Sequence, residues 1–381
     1  MSIMIKWETI NDDSLLTDEN AINFLITEFQ KKSLNIIWFK DYFKWKLSNS
    51  NPAGIGYLTL GVNGNQILST ISLTCKRFLF NGNVYYGGEF GDAFCNPLFF
   101  INIKYYTPTF LFNNSIEHFN YFNKSIFGRS ALETTNRAIN DKLEILYGTP
   151  NNNAMPSWTK YLGHFNFSKH QIYIYTKKNF HFYYKRLNLP KKFEKLSVYF
   201  DIALINFFYI INNNFNNKLK LTKITPTINE LNNLWNETKK MDSFQLIRDY
   251  DYWEHRYYNH PLNKYIIYKI VYENKFIGII VGCLQNNLLG GNDFYILEWM
   301  VDIKFPIKNI LNLLIYNLRY ENILKYETYI NDFSKERKCF KSNNFKKIKK
   351  IDITFYKNSI INEFTLDPKK FIFYLGNTDS Y

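Results

Sequence analysis

The chain has 381 residues, of which 46% are hydrophobic, and its formal net charge is +14. This length suits two ordinary domains or one large one, with enough apolar residues for a core. The charge favours anionic partners such as phosphate-bearing cofactors. Only eight of the 47 basic residues are arginine. Arginine makes the most common specific contacts to base edges, so its scarcity disfavours a specific nucleic-acid partner.

Cysteine, histidine and the N-terminus exclude further classes of protein. The four cysteines lack CxxC spacing and the six histidines lack HExxH or HxH spacing, so the sequence predicts no metal site. The first residues, MSIMIKWETINDD, do not have a charged start followed by an apolar run. They do not form a secretion signal, and we expect a cytoplasmic protein. The sequence carries no signal for an oligomeric state.

A repeated motif organises the chain. Asp41-Tyr42-Phe43-Lys44-Trp45 precedes a proline and a pair of strands, and Asp249-Tyr250-Asp251-Tyr252-Trp253 does the same about 208 residues later. Asn63-Gly64 and Glu273-Asn274 mark the two turns, and Asn-Gly is a strong hairpin signal. The shared order of helix, DYxxW, proline and hairpin predicts two copies of one α/β unit.

The first predicted unit spans residues 1–180. After the hairpin come the strand FLFNGNVYYGGEFGDAF, an aromatic stretch, and a helix from about Ser125 to Lys142 whose apolar positions fall at helical spacing. A strand LEILYG, the loop TPNNNAMPSW, a short helix and the strand region HFNFSKHQIYIYTK complete this unit.

A connector of residues 181–220 leads to the second predicted unit, residues 221–381. The apolar window from Val198 to Ile211 is shorter than the roughly 20 residues that a membrane span needs. We expect a packed helix, or an interfacial helix beside Lys191, Lys192 and Lys195 that makes peripheral contact with the inner face of a membrane. In the second unit, Thr227 and Glu230 form a capping-box pattern at the start of a helix.

Four motifs in this order resemble the GNAT acyltransferase superfamily, and more narrowly the tandem GNAT-like proteins encoded with bacterial surface-polysaccharide genes. They are GEFGDAF from Gly88, YGTPN from Tyr147, Trp158 with Leu162-Gly163, and YLGNTD from Tyr374. The resemblance covers nearly the whole chain. It implies a mixed α/β fold with two tandem GNAT-like units, each a mixed, mostly antiparallel sheet flanked by helices.

The resemblance also implies a donor site for acetyl-CoA or another acyl-CoA in the first unit. In the family, a loop and the following helix N-terminus present backbone N–H groups to the pyrophosphate. The arginine and glycines expected in this loop are replaced by Phe122, Asn123 and Ser125, while Lys124 and Arg129 keep positive charge nearby. The cofactor-binding residues predicted on this basis are Phe90, Ala93, Phe94, Lys124, Ser125, Ile126, Phe127, Gly128, Arg129 and Asn151.

N-acylation needs a base for the acceptor amine and an acid for the thiolate. Glu89 or Asp92 is the predicted base, and strand alternation places Glu89 with Gly91 on one face and Phe90 with Asp92 on the other. Carboxylates that bind a loop amide or a lysine are the simpler alternative. The acid position implied by the family falls on Thr159, so the nearby Tyr161 is the acid candidate.

The resemblance implies that the acceptor is a small amino sugar, nucleotide-linked, used in surface-glycan synthesis. Its candidate contacts are Trp45, Tyr147, Trp158, Trp253, His255 and Arg256. For Trp45 and Trp253 core packing is the competing interpretation. Two other functions stay open: a FemAB-like transferase that uses aminoacyl-tRNA, and a non-catalytic GNAT-like subunit of a glycan assembly.

Overall fold

The computed structural model describes residues 5–12, 19–32, 40–95, 125–152, 154–167, 172–213, 218–302, 304–305, 307–356 and 367–378. The strands, in chain order, are β1 (Lys6–Ile10), β2 (Tyr57–Asn63), β3 (Gln66–Phe80), β4 (Asn83–Cys95), β5 (Ile145–Gly148), β6 (His164–Asn166), β7 (Ile172–Lys178), β8 (Leu219–Thr222), β9 (Gln245–Leu246), β10 (Ile266–Tyr272), β11 (Lys275–Asn286), β12 (Asn292–Val301), β13 (Ile323–Asn331), β14 (Lys346–Lys350) and β15 (Thr354–Tyr356).

The described α-helices, in chain order, are α1 (Glu19–Lys32), α2 (Lys40–Leu47), α3 (Ile126–Asn140), α4 (Met155–Lys160), α5 (Phe180–Arg186), α6 (Glu194–Asn213), α7 (Ile228–Thr238), α8 (Tyr250–Trp253), α9 (Ile307–Asn317) and α10 (Glu336–Ser342). Helix α8 continues as a π-helical turn, Glu254–Tyr258. Short 3-10 turns cover Lys191–Phe193, Pro368–Lys370 and Leu375–Asn377. In the described ranges, no helix has the length and apolar character needed to cross a bilayer.

The chain divides into two compact units. The first comprises Met1–Lys169, Asn259–Leu262 and Asp352–Asp367, and the second comprises the remaining segments. The first sheet has the order β1-β2-β3-β4-β5-β15-β6, and the second has the order β14-β7-β13-β12-β11-β10-β8. Each sheet is antiparallel except at one central pair, β4 with β5 and β12 with β13.

The unit boundaries differ from the predicted ones. Residues 172–178, which we expected at the end of the first unit, form β7 and pair with β13 along seven positions of the second sheet. Strand β15 instead completes the first sheet, between β5 and β6. Long-range pairing decides this assignment because it satisfies the backbone groups on both edges of β7 and of β15. The predicted connector likewise belongs to the second unit, as α5 and α6.

Local signals of the sequence are confirmed at several turns and caps. Glu273 and Asn274 both have positive φ, 47° and 67°, as a two-residue type I′ hairpin turn requires. Thr227 caps α7 in a capping box with Glu230. The long helix of the first unit begins at Ile126, with Ser125 as its N-cap, and ends at Asn140.

The cores follow from the apolar faces of these elements. In the first unit, α1 and α2 bury Ile22, Phe43 and Leu47 on one side of the sheet. Helix α3 and Trp158 of α4 pack with Leu73 and Phe90 in a separate cluster. In the second unit a single large cluster joins α9 and α10 to the sheet. Each central parallel pair is therefore covered by helices of its own unit.

Candidate active site

Each sheet opens where its parallel pair stops pairing. Strands β4 and β5 pair over Gly87–Phe90 and Ile145–Gly148, after which β4 continues to Cys95. Strands β12 and β13 pair as far as Tyr295 and Glu327, and both strands then continue, to Val301 and Asn331. We call these openings the first wedge and the second wedge. Backbone groups on the facing edges of a wedge can accept an extended ligand.

The strand on one side of each wedge carries a β-bulge. In β4, Gly91 pairs with Ser72 and Phe94 with Thr70, so Asp92 and Ala93 together face one residue of β3. In β12, Ile296 and Glu298 pair with adjacent residues of β11, which leaves Leu297 as the extra residue. Bulges of this kind re-aim side chains and are common next to active sites.

A buried ion pair holds the first bulge in place. Asp92 has a positive φ of 48°, and Thr70 donates a hydrogen bond of 2.9 Å to its carbonyl oxygen. The Asp92 carboxylate accepts from Ser72 Oγ at 2.6 Å and from Lys46 Nζ at 2.9 Å. Only 3% of the Lys46 side chain and 5% of the Asp92 side chain is exposed. Asp92 is therefore bound to a lysine and a serine. This contact fits the simpler alternative, a carboxylate that binds a lysine, better than the predicted role as base.

A buried ion pair made by different residues also holds the second bulge. Glu298 is fully buried and accepts hydrogen bonds from Arg248 Nε at 2.9 Å and Tyr252 Oη at 2.7 Å. Arg248 also donates to Asn377 Oδ1 at 3.0 Å. Lys46 follows Trp45 and Arg248 precedes Asp249, so both cations adjoin the repeated DYxxW motif. The motif thus supplies the partner of each bulge carboxylate.

The second acid of the first wedge, Glu89, is also buried. Its carboxylate lies 3.4 Å from Lys76 Nζ and accepts from Tyr147 Oη at 3.3 Å. The predicted alternation is wrong at Asp92. A Cβ on Gly91 would approach Lys46 Nζ and Ser72 Oγ, the groups that Asp92 contacts, so the bulge turns Asp92 to the face of Gly91 and Glu89. Both candidate bases therefore lie on one face, each beside a lysine.

The glycines of this strand serve packing between elements. A Cβ on Gly87 would lie 2.2 Å from the carbonyl oxygen of Ile145, and one on Gly88 would lie 2.5 Å from Leu73. Neither space is open to a ligand, because protein atoms already fill it.

The predicted cofactor residues fall into two groups. Phe90 packs on Trp158 with ring centroids 4.8 Å apart, and Phe94 lies in the core beside α1 and α2. Ala93 is exposed at the bulge. Asn151 accepts a hydrogen bond from Ala154 N at 2.9 Å, as the turn interpretation predicts.

The start of α3 gathers the remaining predicted cofactor residues. The hydroxyl of Ser125 accepts from Gly128 N at 3.0 Å, which caps the helix. Phe127 packs edge-on against Trp158. Arg129 pairs with Glu133 at 2.8 Å, while Ile126 is half-buried. Lys124 lies outside the described residues.

Most of the predicted acceptor contacts are core residues. Trp253 is fully buried and donates from Nε1 to the carbonyl of Arg248, whereas Trp45 packs against Tyr42 and His260. Burial of Trp45, Tyr147, Trp158 and Trp253 contradicts a stacking surface for a sugar.

The cation predicted to meet a nucleotide phosphate is also engaged. Arg256 is buried, and its guanidinium donates to the carbonyl oxygens of Gly376 and Thr378 and to Tyr265 Oη. It is therefore part of the fold of the second unit. Its neighbour His255 is half-buried. Tyr161, the acid candidate, ends α4, and burial raises the pKa of its phenol.

Sequence reasoning missed a cavity in the second wedge. It has a volume of about 200 Å³ and lies against Trp299 of β12 and residues 328–331 of β13. Thr328 Oγ1 donates to the carbonyl of Ile296 at 2.9 Å and closes the narrow end of the wedge. The C-terminal residues 371–374 and Phe340 of α10 add aromatic walls, and Lys240, Lys335 and Lys369 also line the cavity. The aromatic C-terminal stretch FIFY was the only signal in the sequence.

Two side chains of this cavity have unused hydrogen-bonding atoms. Trp299 is 4% exposed, and its indole Nε1 has no hydrogen-bond partner among the described residues. The hydroxyl of Ser334 also has no hydrogen-bond partner among the described residues. A buried donor without an acceptor is costly, so these two atoms are available to a ligand or a water molecule in the cavity.

Comparisons with known proteins identify the fold. No protein-family model matches the chain, and no curated protein matches its sequence. Among solved structures, a probable N-acyltransferase of Enterococcus faecalis V583 is similar with a TM-score of 0.57 and 11% identity, over 92% of this chain and 72% of that one. A GCN5-related N-acetyltransferase of Anabaena variabilis also has a TM-score of 0.57, with 9% identity over 92% and 72% of the two chains.

N-myristoyltransferase of Saccharomyces cerevisiae, solved with bound myristoyl-CoA, is similar with a TM-score of 0.52 and 12% identity, over 93% of this chain and 83% of that one. At these identities the likeness shows the fold alone. The fold class predicted from the sequence is confirmed: two mostly antiparallel sheets flanked by helices, as in GNAT-like N-acyltransferases.

The buried pair in the first bulge predicts a specific pattern of stability. We expect Lys46→Met to lower the free energy of unfolding by about 3–5 kcal/mol, because it leaves the Asp92 carboxylate buried without its cation. Lys44→Met on the same helix should change it by less than about 0.5 kcal/mol. Urea unfolding measures both. Adding Asp92→Asn to Lys46→Met should recover part of the loss, and equal stability of the two lysine variants would contradict the assignment.

His164 predicts a pH dependence of stability. It is fully buried beside Phe90 and Trp158, and burial lowers the pKa of its imidazole to about 3. Between pH 6.5 and 3 the unfolded chain binds a proton that the folded chain does not. The free energy of unfolding should therefore fall by about 1.4 kcal/mol per pH unit from this group as the pH drops.

His164→Phe should remove the contribution of one proton from that slope. Above pH 7.5 the free energy of unfolding should change with pH in the same way in both proteins. The measurement is urea unfolding of both proteins across this pH range. An unchanged slope in the variant would show that His164 is charged in the folded protein.

Proposed function

We propose that the protein is an acyl-CoA-dependent N-acyltransferase whose acyl donor binds in the second wedge. The observation that carries this proposal is the cavity between the separated ends of β12 and β13. A pantetheine arm is an extended chain with two amides, so it can bond to the facing strand edges as an added strand would. GNAT-fold neighbours that act as N-acyltransferases support the reaction class.

The lining of the cavity suits an acyl-CoA. Trp299, Phe340, Phe371 and Phe373 provide apolar walls for a thioester and its acyl group. Lysines at positions 240, 335 and 369 are suitable for phosphates. Trp299 Nε1, which has no hydrogen-bond partner in the described part of the chain, can donate to a carbonyl of the donor.

The reaction itself needs few groups. The acceptor amine attacks the thioester carbonyl, a C–N bond forms and the C–S bond breaks. The amine gives up one proton to water, the departing thiolate takes one from the acid, and solvent returns the proton to the acid. Backbone N–H groups of β12 beyond the bulge can stabilise the developing oxyanion. Tyr374 lines the cavity, where its phenol is the candidate that protonates the departing thiolate.

The acceptor is proposed to be an amino sugar, nucleotide-linked, used in surface-glycan synthesis. This part of the proposal has the support of the sequence motifs and of the positive net charge, which favours a phosphate-bearing acceptor. The same motifs favour the first wedge as donor site, where α3 with its Ser125 cap follows β4. The experiments below separate the two wedges.

Binding of acyl-CoA can be tested with a pair of tryptophan variants. Trp299→Phe removes the indole N–H and part of a buried ring, so we expect a modest loss of thermal stability and roughly fivefold to tenfold weaker binding of acetyl-CoA or a longer acyl-CoA to the folded protein. Isothermal titration calorimetry measures the affinity. Trp158→Phe beside the first wedge is the matched control and should bind as the wild type does.

Three results would contradict the proposal. Weaker binding in Trp158→Phe alone would place the donor in the first wedge. The absence of wild-type binding to any acyl-CoA would exclude the donor class, and stabilisation by aminoacyl-tRNA alone would favour the FemAB-like alternative.

The role of Tyr374 predicts a loss of turnover. Tyr374→Phe should lower kcat by about 100-fold or more with acyl-CoA affinity unchanged, because only the proton donor is lost. Thiol release in the presence of a nucleotide-linked amino sugar measures this rate. Tyr329→Phe, which changes another tyrosine of the same cavity, should retain most of the wild-type rate. Equal rates for the wild type and Tyr374→Phe would exclude this tyrosine as the acid.

A further inference from the structure

Helix α6 presents a continuous apolar side to solvent. Leu196, Tyr199, Phe200, Phe207, Ile210 and Ile211 are each between 48% and 65% exposed. Their spacing of three and four residues puts them on one side of the helix. We call this set the apolar stripe. A surface helix normally shows the opposite arrangement, with apolar residues inward and polar residues outward.

The opposite side of α6 faces the second unit and carries Asp201 and Ser197 together with Ile205 and Tyr209, which pack against the core of that unit. Asp201, the acid that interrupts the apolar run, accepts hydrogen bonds from the backbone N–H groups of Phe180 and His181 at 2.8 and 2.7 Å. Ser197 is buried, and its Oγ lies 2.6 Å from His181 Nδ1. On the same side, Tyr209 stacks on Tyr316 of α9. These contacts fix the rotation of the helix, so the stripe points away from its own unit.

The apolar surface continues into the preceding segment. Exposed apolar side chains there are Phe180, Tyr183, Leu187, Leu189 and Phe193. Together with the stripe they form one contiguous stretch of sequence, since all lie between residues 180 and 211. Single exposed apolar residues are ordinary, but a concentration of this kind marks an interaction surface.

Positive charge accompanies this surface. Residues 177–213 contain seven basic and two acidic residues. Both acids are engaged, Glu194 with Lys185 and Asp201 with the start of α5. Arg186, Lys191, Lys192 and Lys195 are exposed at the end where α6 begins. An apolar face beside cations matches the chemistry of an anionic lipid bilayer, whose headgroups attract lysine and whose interior takes aromatic side chains.

We propose that α6 and the segment before it bind the surface of an anionic phospholipid membrane. The helix lies in the plane of the interface with the apolar stripe in the acyl boundary and the cations at the headgroups. A second copy of this chain would bury apolar side chains equally well, but it would bring the same cations together, which disfavours that occupant.

Flotation of the full chain with lipid vesicles tests this assignment. We expect binding to vesicles of phosphatidylcholine with phosphatidylglycerol, weak binding to phosphatidylcholine alone, and weaker binding as salt is added. Tyr199→Ser with Phe207→Ser should reduce vesicle affinity at least about tenfold, because two membrane anchors are removed. Lys191→Glu with Lys192→Glu should reduce it by about fivefold or more for each lysine.

Matched variants elsewhere on the second unit complete the test. Leu288→Ser with Tyr320→Ser removes two apolar residues that are more exposed than Tyr199 and Phe207, and Lys338→Glu with Lys341→Glu reverses two exposed lysines. Both should bind vesicles as the wild type does, and all four variants should melt at the wild-type temperature.

The proposal is overturned if the wild type does not float with anionic vesicles, or if the stripe variant floats equally well. It is also overturned if sedimentation shows a dimer that Tyr199→Ser with Phe207→Ser dissociates while vesicle binding is absent.

Discussion

The buried carboxylate of each β-bulge is the constraint on which both units depend. Asp92 and Glu298 sit at the point where the central strand changes direction, and each is held by a cation beside the DYxxW motif. A bulge has no ladder partner for its extra residue, so it needs such side-chain contacts to keep one geometry. The low dielectric around each pair makes the loss of either partner expensive. The repeat in the sequence is therefore a repeat of this attachment between helix and strand.

The bulge in turn determines what each wedge can do. It turns the Asp92 side chain to the face of β4 that carries Glu89. There Asp92 binds Lys46 and Ser72. In the second unit, Glu298 is engaged by Arg248 and Tyr252, and the opening beyond it holds a cavity. An acid that stabilises a bulge is poorly placed to take a proton from an amine. The unused donor of Trp299 and the protonated phenol of Tyr374 are better suited to a ligand, which is why we place the donor there.

Local patterns of the sequence predicted turns and helix caps well. They could not predict which strands pair across long distances in the chain. The Glu273-Asn274 turn and the Thr227 capping box depend on neighbouring residues, and they folded as predicted. Strand β15 has three residues and an unremarkable composition, so no local signal could place it beside β5. Alternation assigned Asp92 to the wrong face, because a period of two fails across a bulge that sequence alone does not reveal.

Helix α6 shows the same limit in another form. A helical period tells which residues share a side, but not whether that side faces the core or the solvent. Here Asp201 is bonded to the start of α5 and Tyr209 packs against the core, so the opposite side, with Tyr199 and Phe207, faces outward. Exposed aromatic rings are unfavourable for a helix surrounded by water, and an apolar phase over the stripe would remove that exposure. The nearby cations are the reason we propose an anionic membrane surface as that phase.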